Sequence, residues 1–171
     1  MILEVLVYPH KLLRESSKDV VHFDAQLHAL LDDMYETMVI KEGIGLAAIQ
    51  VAVPLNVLVI NLVDEEGVQK RETLYEIINP VILEKDGSTI YQEGCLSVPG
   101  YYDEIERAEH IKIAYYDRHG NRCEAEFTDL MSIAVQHEMD HLKGRLFIEK
   151  LSYLKRKKFE KEWKKKQKAG K

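Results

Sequence analysis

Between Asp24 and Gly43 the apolar residues return at helical intervals, with Leu27, Leu30, Leu31, Met34 and Met38 sharing one face. Asp24 is a residue type that caps the start of such a run, and Gly43 one that ends it. Beyond Gly43 the period shortens. The segments "NVLVINLV", "TLYEIINP" and "VILEKDGSTIYQ" read as strands, and Asp86-Gly87 within the last reads as a hairpin turn. "HIKIAYYD" and "RCEAEFT" form a second strand pair, with its turn around Gly120. A helical period resumes from Asp129 to Lys143, behind Thr128 as N-cap and ahead of Gly144 as the stop. Ser152 is placed to cap a third helix that runs into the C-terminal lysines. Helix, several short strands, helix, helix is the order of an α+β fold. We expect mostly antiparallel strands packed around the central helix, with an N-terminal helix and a basic C-terminal helix.

At 171 residues the chain is long enough to bury one substantial core. It has no run of ~18 uncharged apolar residues that would span a membrane. The N-terminal "MILEVLVYPH" lacks the basic start and small-residue cleavage site of a secretory signal. Two cysteines, Cys95 and Cys123, are too few for a disulfide scaffold, so a reducing cytoplasm is the expected compartment. The net charge of −5 conceals an asymmetry: residues 155–171 carry ten basic and two acidic side chains, a charge of +8 against −13 for the remainder. This divides the chain into a body, residues 1–154, and a Lys-rich helical extension of the same domain, residues 155–171. The extension reads either as a solvated terminal helix or as an arm that docks on a polyanion such as ribosomal RNA.

The chemistry concentrates in "AVQHEMDHLKG". His137 and His141 are four apart, so a helix presents both imidazoles on one face to a single ion. Glu138 is placed to reach a water on that ion without binding it. Leu130, Ala134, His137 and His141 make one inward stripe, and buried histidines need polar partners. The short motif also arises by chance, so the third ligand is the test. The longer HExxHxxGxxH pattern of one metallopeptidase class fails, because Phe147 stands where the third His belongs. Glu160 or Glu162 could serve a second class, although both sit among lysines that suit them better as ion-pair partners. Cys95, in "QEGCLSVPG", lies in a segment punctuated by Gly94 and Pro99-Gly100 that suggests a rigid, irregular loop. With two imidazoles it would complete an open Cys-His-His site suited to Zn²⁺, Fe²⁺ or Co²⁺. A non-catalytic RNA-binding module with a vestigial metal site is the alternative from another class, and the intact Glu138 and Gln50 argue against it.

Three stretches taken together, "GIGLAAIQV", "EGCLS" and "QHEMDHLKG", resemble the peptide deformylases in order and approximate spacing. The resemblance extends weakly to "YPHKLLRESS" and "LSYLK". It implies hydrolysis of the N-formyl group from the N-terminal methionine of newly made, N-formylmethionyl nascent peptides, with release of formate. It assigns the metal to Cys95, His137 and His141, proton transfer to Glu138, and the oxyanion to Gln50 and the Leu96 N–H. Ile44 and Gly45 are implied to bind substrate backbone, and Leu130, Ile133 and Ala134 to line the methionine pocket. The implied ion is Fe²⁺, with Zn²⁺, Ni²⁺ or Co²⁺ as substitutes. Gly43 and Gly45 are then expected to leave room for a peptide lying alongside as an added strand. Ala134 stands where members of the family often carry Cys, and Tyr101-Tyr102 follow "SVPG" where some carry Arg. We expect a monomer whose partners are nascent peptides and the ribosome, with no membrane or DNA partner.

Overall fold

The computed structural model describes residues 1–170. Its first helix, α1, spans Ala25–Ile40 and begins where the Asp24 carboxylate accepts from the Leu27 N–H at 3.1 Å. The predicted stripe is the buried one: Leu27, Leu31, Met34 and Met38 enter the core and Leu30 is half-buried. The helix stops one residue earlier than the glycine suggested. Glu42 takes the left-handed position at φ 59°, and the Glu42 and Gly43 N–H groups bond back to Val39 and Met38. Gly43 serves a different need, since a Cβ there would lie 2.8 Å from the Leu96 side chain.

Seven strands follow: β1 Gly45–Ala47, β2 Val57–Ile60, β3 Tyr75–Asp86, β4 Thr89–Cys95, β5 Val98–Arg107, β6 His110–Tyr116 and β7 Arg122–Thr128. Every strand pair is antiparallel, in a five-stranded sheet ordered β1-β2-β3-β6-β7 and a separate β4–β5 hairpin. The two segments expected around Pro80 are a single strand. Asn79 adopts φ 51° and the register slips between Ile78 and Val81, so the strand passes its proline through a bulge. The β6–β7 hairpin turns at Gly120, φ 82°, as its sequence indicated.

Asp86-Gly87 is not a hairpin turn. Gly87 takes φ 72°, but residues 87–88 form no turn, and β3 pairs with β6 while β4 pairs with β5. Turn chemistry specifies a local reversal, whereas the partner is chosen by which apolar faces can be buried together. Ile111 and Ile113 of β6 close the core cluster beside β3, while Val98 and Ile105 of β5 pack in a second cluster beneath the C-terminal helix.

Helix α2, Asp129–Leu142, lies between the sheet and the hairpin, and Ser132 through Met139 are buried on every side. Thr128 occupies its N-cap position without making the side-chain cap; the Asp129 N–H instead bonds to the Glu109 carbonyl at 3.2 Å. Its end is as expected, with Gly144 at φ 74° and the Gly144 and Arg145 N–H groups bonding back to His141 and Asp140. The Lys-rich segment is a docked helix, α3, Tyr153–Ala169, capped by Ser152. Phe159 and Trp163, four residues apart, are buried against Tyr8 and Tyr101 while the lysines face outward. No helix among the described residues is long and apolar enough to cross a membrane.

Candidate active site

Cys95 ends β4 and pairs with Val98, so Leu96-Ser97 is a tight two-residue turn rather than the irregular loop expected from its glycines and proline. The register slips at Gly94, where a Cβ would collide with the Tyr102 ring. This turn points the sulfur at α2, where His137 and His141 lie one turn apart, edge to face, with ring centroids 5.1 Å from each other. Cys95 Sγ lies 3.3 Å from His141 Nε2, and one donor atom from each of the three residues lies within 4.8 Å of the others. Tetrahedral ligation by sulfur at ~2.3 Å and nitrogen at ~2.0 Å needs a donor separation of about 3.5 Å, so the set fits one small ion. No other such group occurs among the described residues. Glu160 accepts instead from the Tyr8 hydroxyl at 2.6 Å, and Glu162 is exposed on α3, so the peptidase-type third ligand is not assembled.

Glu138 faces the same point. Its two oxygens lie 4.0 Å and 3.9 Å from the Nε2 atoms of His137 and His141, too far to hydrogen-bond and near enough to share a bound species. Oε1 is buried with no partner, an arrangement that suits a group waiting for a ligand proton. Burial pushes the Glu138 carboxyl up to about 7. Burial, reinforced by His137, holds the His141 imidazole well below its ordinary range, which keeps it neutral and available as a ligand. For His137 burial acts in the same direction, but Glu138, Cys95 and Glu93 outweigh it and raise its affinity for positive charge. An anionic surround of this kind favours a cation at Nε2, which supports the donor set as a metal site.

Gly45 owes its lack of a side chain to Glu138. A Cβ at Gly45 would stand 2.7 Å from Glu138 Oε2. In the Cβ direction, then, both Gly43 and Gly45 make room for the protein's own Leu96 and Glu138 side chains. β1 is an edge strand, and Gly43, Ile44 and Gly45 line a groove of about 630 Å³ along it. Gln50, in the short 3₁₀ turn Ala48–Val51, is buried, accepts from the Ala47 N–H at 2.9 Å and donates to Ser97 Oγ at 3.0 Å. Those bonds set its amide nitrogen 3.5 Å from Cys95 Sγ. Ile44, Leu130, Ile133 and Ala134 meet His137 and Glu138 around a cavity of about 80 Å³. Ile133 and Ala134 are also buried, so this face of α2 serves as cavity wall and core at once.

Behind His137 lies a buried ionic chain that the sequence pattern does not reveal. Glu93 accepts from His137 Nδ1 at 2.8 Å and from both Arg107 Nε and Nη2, at 2.6 and 2.9 Å. Arg107 Nη1 donates onward to Asp140 at 2.8 Å. Burial works against the Glu93 charge, but bonds from His137 and Arg107 hold its carboxyl below the ordinary range. Glu93 thus fixes the ring that carries one ligand nitrogen. The signal was present only as a Glu two residues before Cys95; nothing in the spacing linked it to Arg107.

A model of the Polypeptide deformylase family matches residues 2–157. The chain is 58% identical over 170 residues to a peptide deformylase of Helicobacter pylori strain G27, covering 99% of this chain and 98% of that one. It is 56% identical over 164 residues to one from Nautilia profundicola, covering 96% and 94%. Among solved structures it resembles a peptide deformylase from Legionella pneumophila with TM-score 0.90 and 38% identity, covering 99% and 98%. A peptide deformylase from Acinetobacter baumannii, solved with Met-Ala-Ser bound, superposes with TM-score 0.82 and 31% identity over 88% of this chain and 99% of that one. With matches of that length and identity, the chain belongs to the polypeptide deformylase family.

Proposed function

We propose that this protein removes the N-formyl group from formyl-methionyl nascent peptides, using Cys95, His137 and His141 to hold one divalent ion, Fe²⁺ in the cell. The observation that carries this reading is the convergence of three donor atoms on one point with the Glu138 carboxylate flanking it at 3.9 and 4.0 Å. A divalent ion held there supplies the charge that acidifies water and polarises the formyl carbonyl; Zn²⁺, Ni²⁺ or Co²⁺ would suit the same donors. Glu138 takes a proton from the attacking water, and the water oxygen bonds to the formyl carbon. The Gln50 amide and the Leu96 N–H, in the turn after Cys95, donate to the developing oxyanion. The carbon–nitrogen bond then breaks as Glu138 returns the proton to the leaving amine, giving formate and a free N-terminus.

The relative solved with Met-Ala-Ser supports placing a methionine-first peptide in the groove. We assign its side chain to the cavity of Leu130, Ile133 and Ala134, and its backbone to the edge formed by Ile44 and Gly45. The exposed lysines of α3 support salt-sensitive docking on ribosomal RNA. The packing of Phe159 and Trp163 into the body supports reading the Lys-rich segment as an extension of the 1–154 domain.

The test is formate release from formyl-Met-Ala by anaerobically prepared protein, alongside metal content. Cys95→Ala should lose both metal and formate release, while Glu160→Ala should keep them. Retention of both by Cys95→Ala overturns the reading.

A further inference from the structure

Phe147 occupies the place that the longer histidine pattern reserves for a third ligand, and it does lie beside the metal group. Its ring centroid is 5.8 Å from that of His137, with the planes 31° apart. Phe147 is 1% exposed, so nothing lets the two rings separate without repacking. His137 is therefore held twice. The Glu93 bond at Nδ1 fixes the ring edge, and the Phe147 face opposes rotation of the ring about its bond to the side-chain Cβ. A ligand nitrogen needs both constraints, because its lone pair must point at the ion as well as reach it.

Phe147 is itself braced from α3. Its ring stacks on Tyr101 with centroids 6.1 Å apart and planes at 29°, and Tyr101 meets Phe159 of α3 at 4.6 Å. Phe159 in turn packs on Trp163 and Tyr8. Two polar tethers run parallel to this column. The Tyr101 hydroxyl donates to Asp103, which also accepts from Lys155, and the Trp163 indole N–H donates to the Tyr8 carbonyl. The basic helix thus reaches the ligand ring through an unbroken aromatic path.

We infer that Phe147 is a positioning residue for His137, and that α3 holds it in place through Tyr101 and Phe159. The inference rests on the metal-site reading above. It implies that α3 contributes to how firmly the ion is held, apart from any docking by its lysines.

The experiment uses the full chain loaded with Co²⁺, read by its visible d–d spectrum and by the rate at which a chelator removes the ion. Phe147→Leu should shift the spectrum and speed removal by roughly tenfold, in the range seen for supports of metal ligands. Phe127→Leu, a buried aromatic in a different core cluster, should lose stability yet leave both readouts at wild type. Should Phe147→Leu fail to fold, Tyr101→Leu should show the same shift at smaller size. Unchanged spectrum and rate in the folded variant, or equal changes in Phe127→Leu, overturn the inference. Failure of the wild type itself to bind Co²⁺ would sink the metal-site reading instead.

Discussion

Replacing Arg107 by Met probes the buried ionic chain behind His137. The Arg107 side chain is 3% exposed and that of Glu93 4%, so neither charge has water to fall back on. Met fills most of the same volume, and the loss is then electrostatic rather than a cavity. It leaves the Glu93 carboxylate with a single partner, His137 Nδ1, and Asp140 with only the longer Lys150 contact at 3.9 Å. Removing one member of a buried pair costs about 3–5 kcal/mol, because the survivor stays desolvated and uncompensated. For a domain of this size that is a fall in Tm of roughly 10 °C. Urea unfolding of metal-saturated protein at pH 7 measures it, with Glu93→Gln/Arg107→Met completing a double-mutant cycle. Since the double variant removes the stranded charge, it should be less destabilised than the sum of the single changes by at least about 1 kcal/mol. A loss under about 1 kcal/mol in Arg107→Met, or strict additivity in the cycle, would refute the view that this pair is a mutually dependent buried unit.

Three further outcomes follow from local geometry. Gly45→Ala must displace the Glu138 carboxylate, and a misplacement near 1 Å costs on the order of 100-fold in kcat, so formate release should fall steeply while metal content and Tm stay close to wild type. Gly144→Ala forces a Cβ at φ 74° into the Arg14 carbonyl, and equilibrium unfolding should register a loss of at least about 2 kcal/mol. Arg118, then Arg71, hold the Asp32 carboxyl below its ordinary value. Folding therefore favours its charged form: the contribution is complete above about pH 4 and fades as pH falls through the folded-state value. Arg118→Ala should flatten the acid limb of the urea midpoint between about pH 5 and pH 2.5, and an unchanged limb would contradict the assignment.

Elements whose signals lie within a few residues of each other are legible in the sequence. The α1 stripe, the α2 end at Gly144, the Gly120 hairpin and the Ser152 cap depend on local periodicity and backbone φ, which neighbouring residues set. The local rules fail where a distant partner intervenes. Asp86-Gly87 joins two strands that each pair elsewhere, and what excludes a Cβ at Gly43 and Gly45 is Leu96 and Glu138, both far along the chain.

The sequence by itself determined which atoms are available for chemistry: two imidazoles four apart on a helix, a carboxylate between them and a thiol in a glycine-bounded turn. Tertiary structure alone decided their company. It brought Cys95 to within 3.3 Å of His141, clamped His137 between Glu93 and Phe147, and buried Glu138 deeply enough to raise its carboxyl to about 7. Spacing along a helix is fixed by the backbone, whereas desolvation and charge pairing depend on which elements the shared core draws together, and those lie tens of residues apart in the chain.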